Sequence, residues 1–208
     1  MSRPFERFAA ACAIAVGAGG LAYAIAFVVI LNRDSKGAEI ASSLFLLVGG
    51  LLATAVLTAV YGRVRDADPG FALWGLVLGV AGSLGSAIHG GFDLGRLVDD
   101  IDASLPDVPN PVDPRGLMTF AVTALAVFTF AWLIVRSDRL PRPLGYIGFA
   151  VGALFLVLYL GRLIIVDPKS PVLLGAAVLS GFVGNPAWFI WLGVALRQEP
   201  HPETDEAV

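Results

Sequence analysis

The stretch FAAACAIAVGAGGLAYAIAFVVIL, Phe8 to Leu31, runs for 24 residues without a charge or a proline. A helix rises about 1.5 Å per residue, so about 20 apolar residues cross the ~30 Å hydrocarbon core of a bilayer. Residues 40–61, 71–92, 116–135, 144–166 and 172–196 are apolar stretches of similar length, interrupted only by Arg162 and Pro186, and with 8–31 they predict six transmembrane helices in an all-α, polytopic bundle. Charges and prolines fall between the spans, in Arg33-Asp34-Ser35-Lys36, Arg63 to Pro69, Arg136 to Pro143 and Asp167 to Pro171. One transmembrane domain, residues 1–197, holds all six spans; residues 198–208 form an acidic tail whose polarity predicts disorder.

Composition points the same way. Of 208 residues, 57% are hydrophobic and 15% charged, against roughly 45–50% and about 25% in soluble domains. Mean hydropathy is +0.79. A soluble core of this size leaves too much of that apolar surface in water, so lipid is the expected solvent. A net charge of −3 and scattered Lys/Arg leave no nucleic-acid footprint. One cysteine, Cys12, permits neither an internal disulfide nor a cysteine metal site. The first span is too long for a signal-peptide core. Ala9-Ala10-Ala11-Cys12 stands at its start rather than after it, unlike a lipoprotein cleavage box, so the first helix is expected to be retained.

Orientation follows from basic residues near helix ends. With the N-terminus inside, eight Lys/Arg fall on the inner side and six on the outer, and the densest cluster, Arg136, Arg139 and Arg142, is inner. Both termini are therefore expected in the cytoplasm and the 93–115 loop outside. That loop is rich in Asp and Pro but carries no D-x-[DN]-x-[DN]-G calcium pattern, and it reads as a solvated cap.

Two spans share a pattern at an offset of 66 residues: Leu94-Gly95-Arg96-Leu97 matches Leu160-Gly161-Arg162-Leu163, and Gly79, Gly82 and Ser86 match Gly145, Gly148 and Gly152. Hairpins 2–3 and 4–5 thus read as a possible parallel repeat, one plan of transporters. In the third span Gly75, Gly79, Gly82, Ser86, His89 and Asp93 lie on one helical stripe. In the fifth, Gly145, Gly148, Gly152, Phe155, Tyr159 and Arg162 do so. Small residues let membrane helices approach closely. Both stripes turn polar toward the outer side, so the bundle is expected to be closed inside and open outside into a polar vestibule between helices 3, 5 and 6.

The candidate ligand-binding residues follow: His89, Asp93, Tyr159, Arg162, Asn185 and Trp188. His89 is the only histidine in a span, with Asp93 one turn on. The pair fits a proton relay, a ligand site or a structural hydrogen bond. Arg162 either snorkels to headgroups or pairs with Asp93. In Gly184-Asn185-Pro186, proline frees the Phe182 carbonyl, and Asn185 either satisfies a freed group or faces a ligand. Trp188 and Trp191 line a cavity or form an interfacial belt. No bis-histidine haem pair, H-E-x-x-H, Walker A, G-x-S-x-G or intramembrane lysine is present, so no cofactor, metal or catalytic residue is assigned.

Asp113-Pro114-Arg115-Gly116-Leu117, Leu140-Pro-Arg-Pro-Leu-Gly-Tyr146 and Gly181-Phe-Val-Gly-Asn-Pro-Ala-Trp-Phe-Ile-Trp-Leu-Gly193 resemble a bacterial six-helix membrane family carried as a domain of unknown function. The resemblance covers nearly the whole chain. It implies a bacterial inner membrane and six helices, and no activity. The leading functional expectation is binding or transport of a small molecule or lipid. The second is a structural or regulatory subunit that docks a partner, or a second copy, through Gly-rich faces. The third is an intramembrane enzyme using His89 and Asp93.

Overall fold

A computed structural model of the chain describes residues 1–33, 35–98, 114–164, 167 and 170–198, with the backbone alone for 29–33, Pro114 and Arg162. Six helices are long and apolar enough to cross a membrane: α1 (Arg3–Arg33), α2 (Lys36–Val64), α3 (Pro69–Val98), α4 (Leu117–Arg136), α5 (Arg142–Ile164) and α6 (Pro171–Arg197). No strand occurs among the described residues. The chain is an all-α, multi-pass membrane protein. The acidic tail, apart from Gln198, and the Asp/Pro-rich stretch 99–113 lie outside the described residues.

Local chemistry sets the helix starts. The Ser35 side chain accepts the Ala38 N–H at 3.4 Å and opens α2. Asp68 accepts the Phe71 N–H at 3.0 Å, with Pro69 at the first helical position. One expected boundary is corrected. α3 does not end at 92 but continues to Val98, so Asp93 and Arg96 belong to the helix rather than to the loop. Its last turns, Asp93-Leu-Gly-Arg-Leu-Val98, hold no proline, and polar residues at a helix end need not stop it.

The helices form a closed ring. Each packs on the next in sequence, and α6 returns to α1. Lipid supplies no hydrophobic drive between helices, so close approach at small residues holds the ring. At the α2–α3 crossing, a Cβ on Gly50 would lie 2.5 Å from the Ser83 carbonyl oxygen and 2.7 Å from the Ala87 nitrogen. One on Gly90 would lie 2.6 Å from the Leu47 nitrogen. α4 is gripped on two sides. Gly75, Gly79 and Gly82 of α3 meet its Thr129, Ala126 and Thr123, while Gly145, Gly148 and Gly152 of α5 meet its Val135, Ala131 and Phe128. The opposite face of α3 presents Leu73, Val77, Leu84 and Ile88 outward.

One half of the bundle is solid. Val56, Val60 and Val64 of α2, Phe130, Leu133 and Ile134 of α4, and Trp188, Leu192 and Leu196 of α6 are fully buried together with Ala9, Ala10 and Ala13 of α1. This half carries the N-terminus and the end of α6. A buried arginine closes it. Arg63 donates to Glu6 through Nε at 2.7 Å and Nη2 at 3.2 Å, and Nη2 also reaches the carbonyls of Leu196 at 3.2 Å and Gln198 at 3.1 Å. It ties α1 and α2 together and caps the orphan carbonyls at the end of α6.

Removing one member of such a pair strands the other. Arg63→Met should destabilise the protein by about 3–5 kcal/mol, and adding Glu6→Gln should restore a large part of that. Thermal unfolding in a mild detergent measures both. A single-variant loss no greater than that of an exposed arginine would show that the clasp contributes little.

Candidate functional site

Beyond the solid half the ring is hollow. A cavity of about 1120 Å³ lies on the bundle axis, and residues of all six helices line it. Typical small-molecule sites occupy about 300–1,000 Å³. The vestibule expected between helices 3, 5 and 6 is thereby corrected: α1 and α2 supply much of the wall, and α5 supplies Phe155 and Leu158. The reason is packing. The small stripe of α5 lies against α4, so little of α5 reaches the axis.

Among the described residues, charge on the cavity wall is confined to the rim. Lys36 and Glu39 in the first turn of α2 and Asp93 and Arg96 near the end of α3 line the cavity there. Further in, the wall is made by apolar residues such as Ala53, Leu57, Val127 and Phe189, interrupted by Ser43, Ser83, Ser180 and Asn185.

His89 and Asp93 both face the cavity, within a chain of contacts between α3 and α4. Nδ1 of the buried His89 lies 3.4 Å from Thr119 Oγ1, and its Nε2 lies 3.4 Å from Asp93 Oδ2. Arg115, in the turn before α4, donates to Asp93 Oδ1 at 3.1 Å. Its guanidinium also sits 4.8 Å from the centre of the Phe92 ring. Arg115 was not assigned from sequence, where pairing with Asp93 was one of two expectations for Arg162; the Arg162 side chain lies outside the described residues. Tyr159 is half-buried on α5 and is not among the residues that line the cavity.

Asn185 and Trp188 line the cavity from α6. The Asn185 amide occupies the space where a side chain on Gly20 of α1 would sit, and it makes no hydrogen bond to another described residue. The two tryptophans, read together as a cavity wall or an interfacial belt, separate: Trp188 is fully buried, and Trp191 is exposed on the bundle surface. The Trp188 indole N–H has no hydrogen-bond partner among the described residues. It lies 3.0 Å from where a Gly148 Cβ would be, facing the α5 backbone.

Two helices change pitch beside the cavity. α6 is π-helical over Leu179–Gly184, just before Pro186, and α4 is π-helical over Leu117–Val122. The first is signalled by proline. The second has no sequence signal, and there the Thr123 hydroxyl reaches the Met118 carbonyl five residues back at 3.3 Å. π-Segments inside regular helices are frequent at functional sites. Sequence reasoning also missed Ser43, Ser83, Ser180 and Thr119, because a span hydroxyl often bonds its own helix, as Ser86 and Thr129 do here.

Fold and site together define a polytopic membrane protein with a ligand-sized cavity inside the bundle. No protein-family model, curated protein or solved structure matches the chain. Among the described residues no group of three or more His, Cys, Asp and Glu stands ready to hold a metal.

Asp93→Ala removes the acid between Arg115 and His89. It should lower stability by about 1–3 kcal/mol and speed hydrogen exchange over 117–123 relative to α5. Unchanged exchange there would mean that these contacts do not hold α4 to α3.

Proposed function

We infer that this chain binds, and in the fuller form of the reading transports, a small molecule or lipid in the cavity of a six-helix bundle. The single observation that carries it is the cavity of about 1120 Å³, charged at its rim and closed at its far end by packed side chains. A membrane bundle without a ligand gains by packing its helices together. Here α1, α2, α3 and α6 hold small or polar residues toward a hollow axis instead.

The excess of basic residues at the solid end supports an orientation with both termini in the cytoplasm and the cavity opening outward. The resemblance to bacterial six-helix proteins supports an inner-membrane setting. A partner-subunit role draws less support, because the glycine stripes of α3 and α5 are occupied by α4 of the same chain. An enzymatic role draws less still: of the two groups that could stand third beside His89 and Asp93, Tyr159 is not among the residues that line the cavity, and the Arg162 side chain lies outside the described residues.

Gly49 offers a direct test. It lines the cavity, and a Cβ placed on it has nothing within 4 Å. Gly49→Trp should fold, with slightly better helix propensity, while filling the site. Native mass spectrometry of protein purified in mild detergent should show a non-covalent small-molecule or lipid adduct on the wild type. The adduct should be lost in Gly49→Trp. An adduct on neither protein, or equally on both, counts against a cavity ligand.

A further inference from the structure

Inside its rim the cavity wall carries polar groups that the protein itself leaves unanswered. Ser43, Ser83 and Ser180 are each less than a tenth exposed, line the cavity, and make no side-chain hydrogen bond to another described residue. Asn185 is likewise without a described partner. The helix break adds acceptors. The Asn185 N–H bonds to the Ser180 carbonyl, five residues back, and Pro186 has no N–H. The carbonyls of Gly181 and Phe182 thereby lose their ordinary donors four residues on. Both residues line the cavity, and Gly181, having no side chain, meets it with its backbone. A buried polar group left without a partner costs about 1–3 kcal/mol. An acyl chain in this part of the cavity would strand all of them.

We propose that Ser180, Asn185, Ser83 and the carbonyls of Gly181 and Phe182 form a deep subsite for an uncharged, multiply hydroxylated small molecule. The inference rests on the reading that the cavity binds a ligand, and it selects a polar molecule over a lipid tail. The site offers donors and acceptors together, and a hydroxyl answers both. The ligand is uncharged because, among the described residues, no acidic or basic side chain lies on this part of the wall: Lys36, Glu39, Asp93 and Arg96 are at the rim and His89 is engaged with Asp93 and Thr119. A buried ion without a counter-charge is disfavoured far more than a neutral polar group. Phe182, Phe189 and Trp188 supply flat apolar faces beside these groups.

The test uses full-length protein in lipid nanodiscs. Cys12, buried in the solid half, is replaced by Ala, and Ala177, which lines the cavity one turn before Gly181, by Cys. Its reaction with a small water-soluble methanethiosulfonate is timed with and without xylitol, with glycine betaine at equal osmolarity as the control. Xylitol should slow the reaction saturably and betaine should not. Asn185→Leu should raise the half-effective xylitol concentration by at least about tenfold. Reaction that xylitol leaves unchanged, or protects equally in Asn185→Leu, overturns the hydroxylated-ligand subsite while leaving a cavity ligand possible. A thiol that never reacts overturns both readings. Leu174→Cys serves as reporter if Ala177→Cys does not fold, and the pair Ser83→Ala and Ser180→Ala replaces Asn185→Leu on the same terms.

Discussion

Close approach of backbones at glycine is the contact on which this bundle depends. In water an apolar stripe would draw helices together, but in lipid the tails are as apolar as leucine and the drive vanishes. What remains is dispersion between surfaces that touch, and it falls off within an ångström of separation. Gly50 and Gly90 let α2 and α3 meet backbone to backbone, and the two stripes of α3 and α5 hold α4 between them. The α3 stripe that packs on α4 through Gly75, Gly79 and Gly82 continues through Ser86 and His89 to Asp93, and from Gly79 outward it borders the cavity. Tight packing and the cavity are thus two ends of one sequence pattern.

The two ends are held by different chemistry. At the solid end Arg63 satisfies a carboxylate and two helix-terminal carbonyls from a nearly solvent-free position, above a continuous apolar core. At the hollow end the tie between α3 and α4 runs through Arg115, Asp93, His89 and Thr119, with fewer apolar side chains beneath it. Local opening has its lowest free energy where buried apolar contacts are fewest. Motion that admits or releases a ligand therefore belongs to the rim of α2, α3 and α6, not to the clasp.

The six helices were legible because hydrocarbon thickness and backbone satisfaction impose one pattern on any chain that crosses a bilayer. Boundaries erred where that pattern is silent: residues 93–98 are polar enough for a loop yet contain nothing that stops a helix. The closed and open halves were legible from the stripe of α3, whereas that of α5 packs on α4 and contributes little to the cavity. The cavity wall was not. Helical periodicity reports that a face is small but not what fills the space in front of it, so α1 and α2 went unassigned. His89, Asp93, Asn185 and Trp188 stood out as rare polar or aromatic residues in apolar spans. Serines in the same wall did not, because a hydroxyl in a helix can bond its own backbone and only coordinates reveal which ones do not.

The distribution of charge along the cavity sharpens what enters it. Among the described residues that line the rim, two bases, Lys36 and Arg96, stand with two acids, Glu39 and Asp93, and Arg115 pairs with Asp93. An ion that passes beyond them would lose its hydration against a wall that offers dipoles but no counter-charge. A neutral solute loses only the hydrogen bonds that Ser83, Ser180, Asn185 and the α6 backbone can replace. An acyl chain replaces none of them. The proposed preference for a neutral polar ligand over ions and simple hydrocarbon tails thus rests on the same few groups at the α6 break. Gly20 belongs to that arrangement as well: any side chain on it would meet the Asn185 amide, which keeps its place beside α1 only because residue 20 has none.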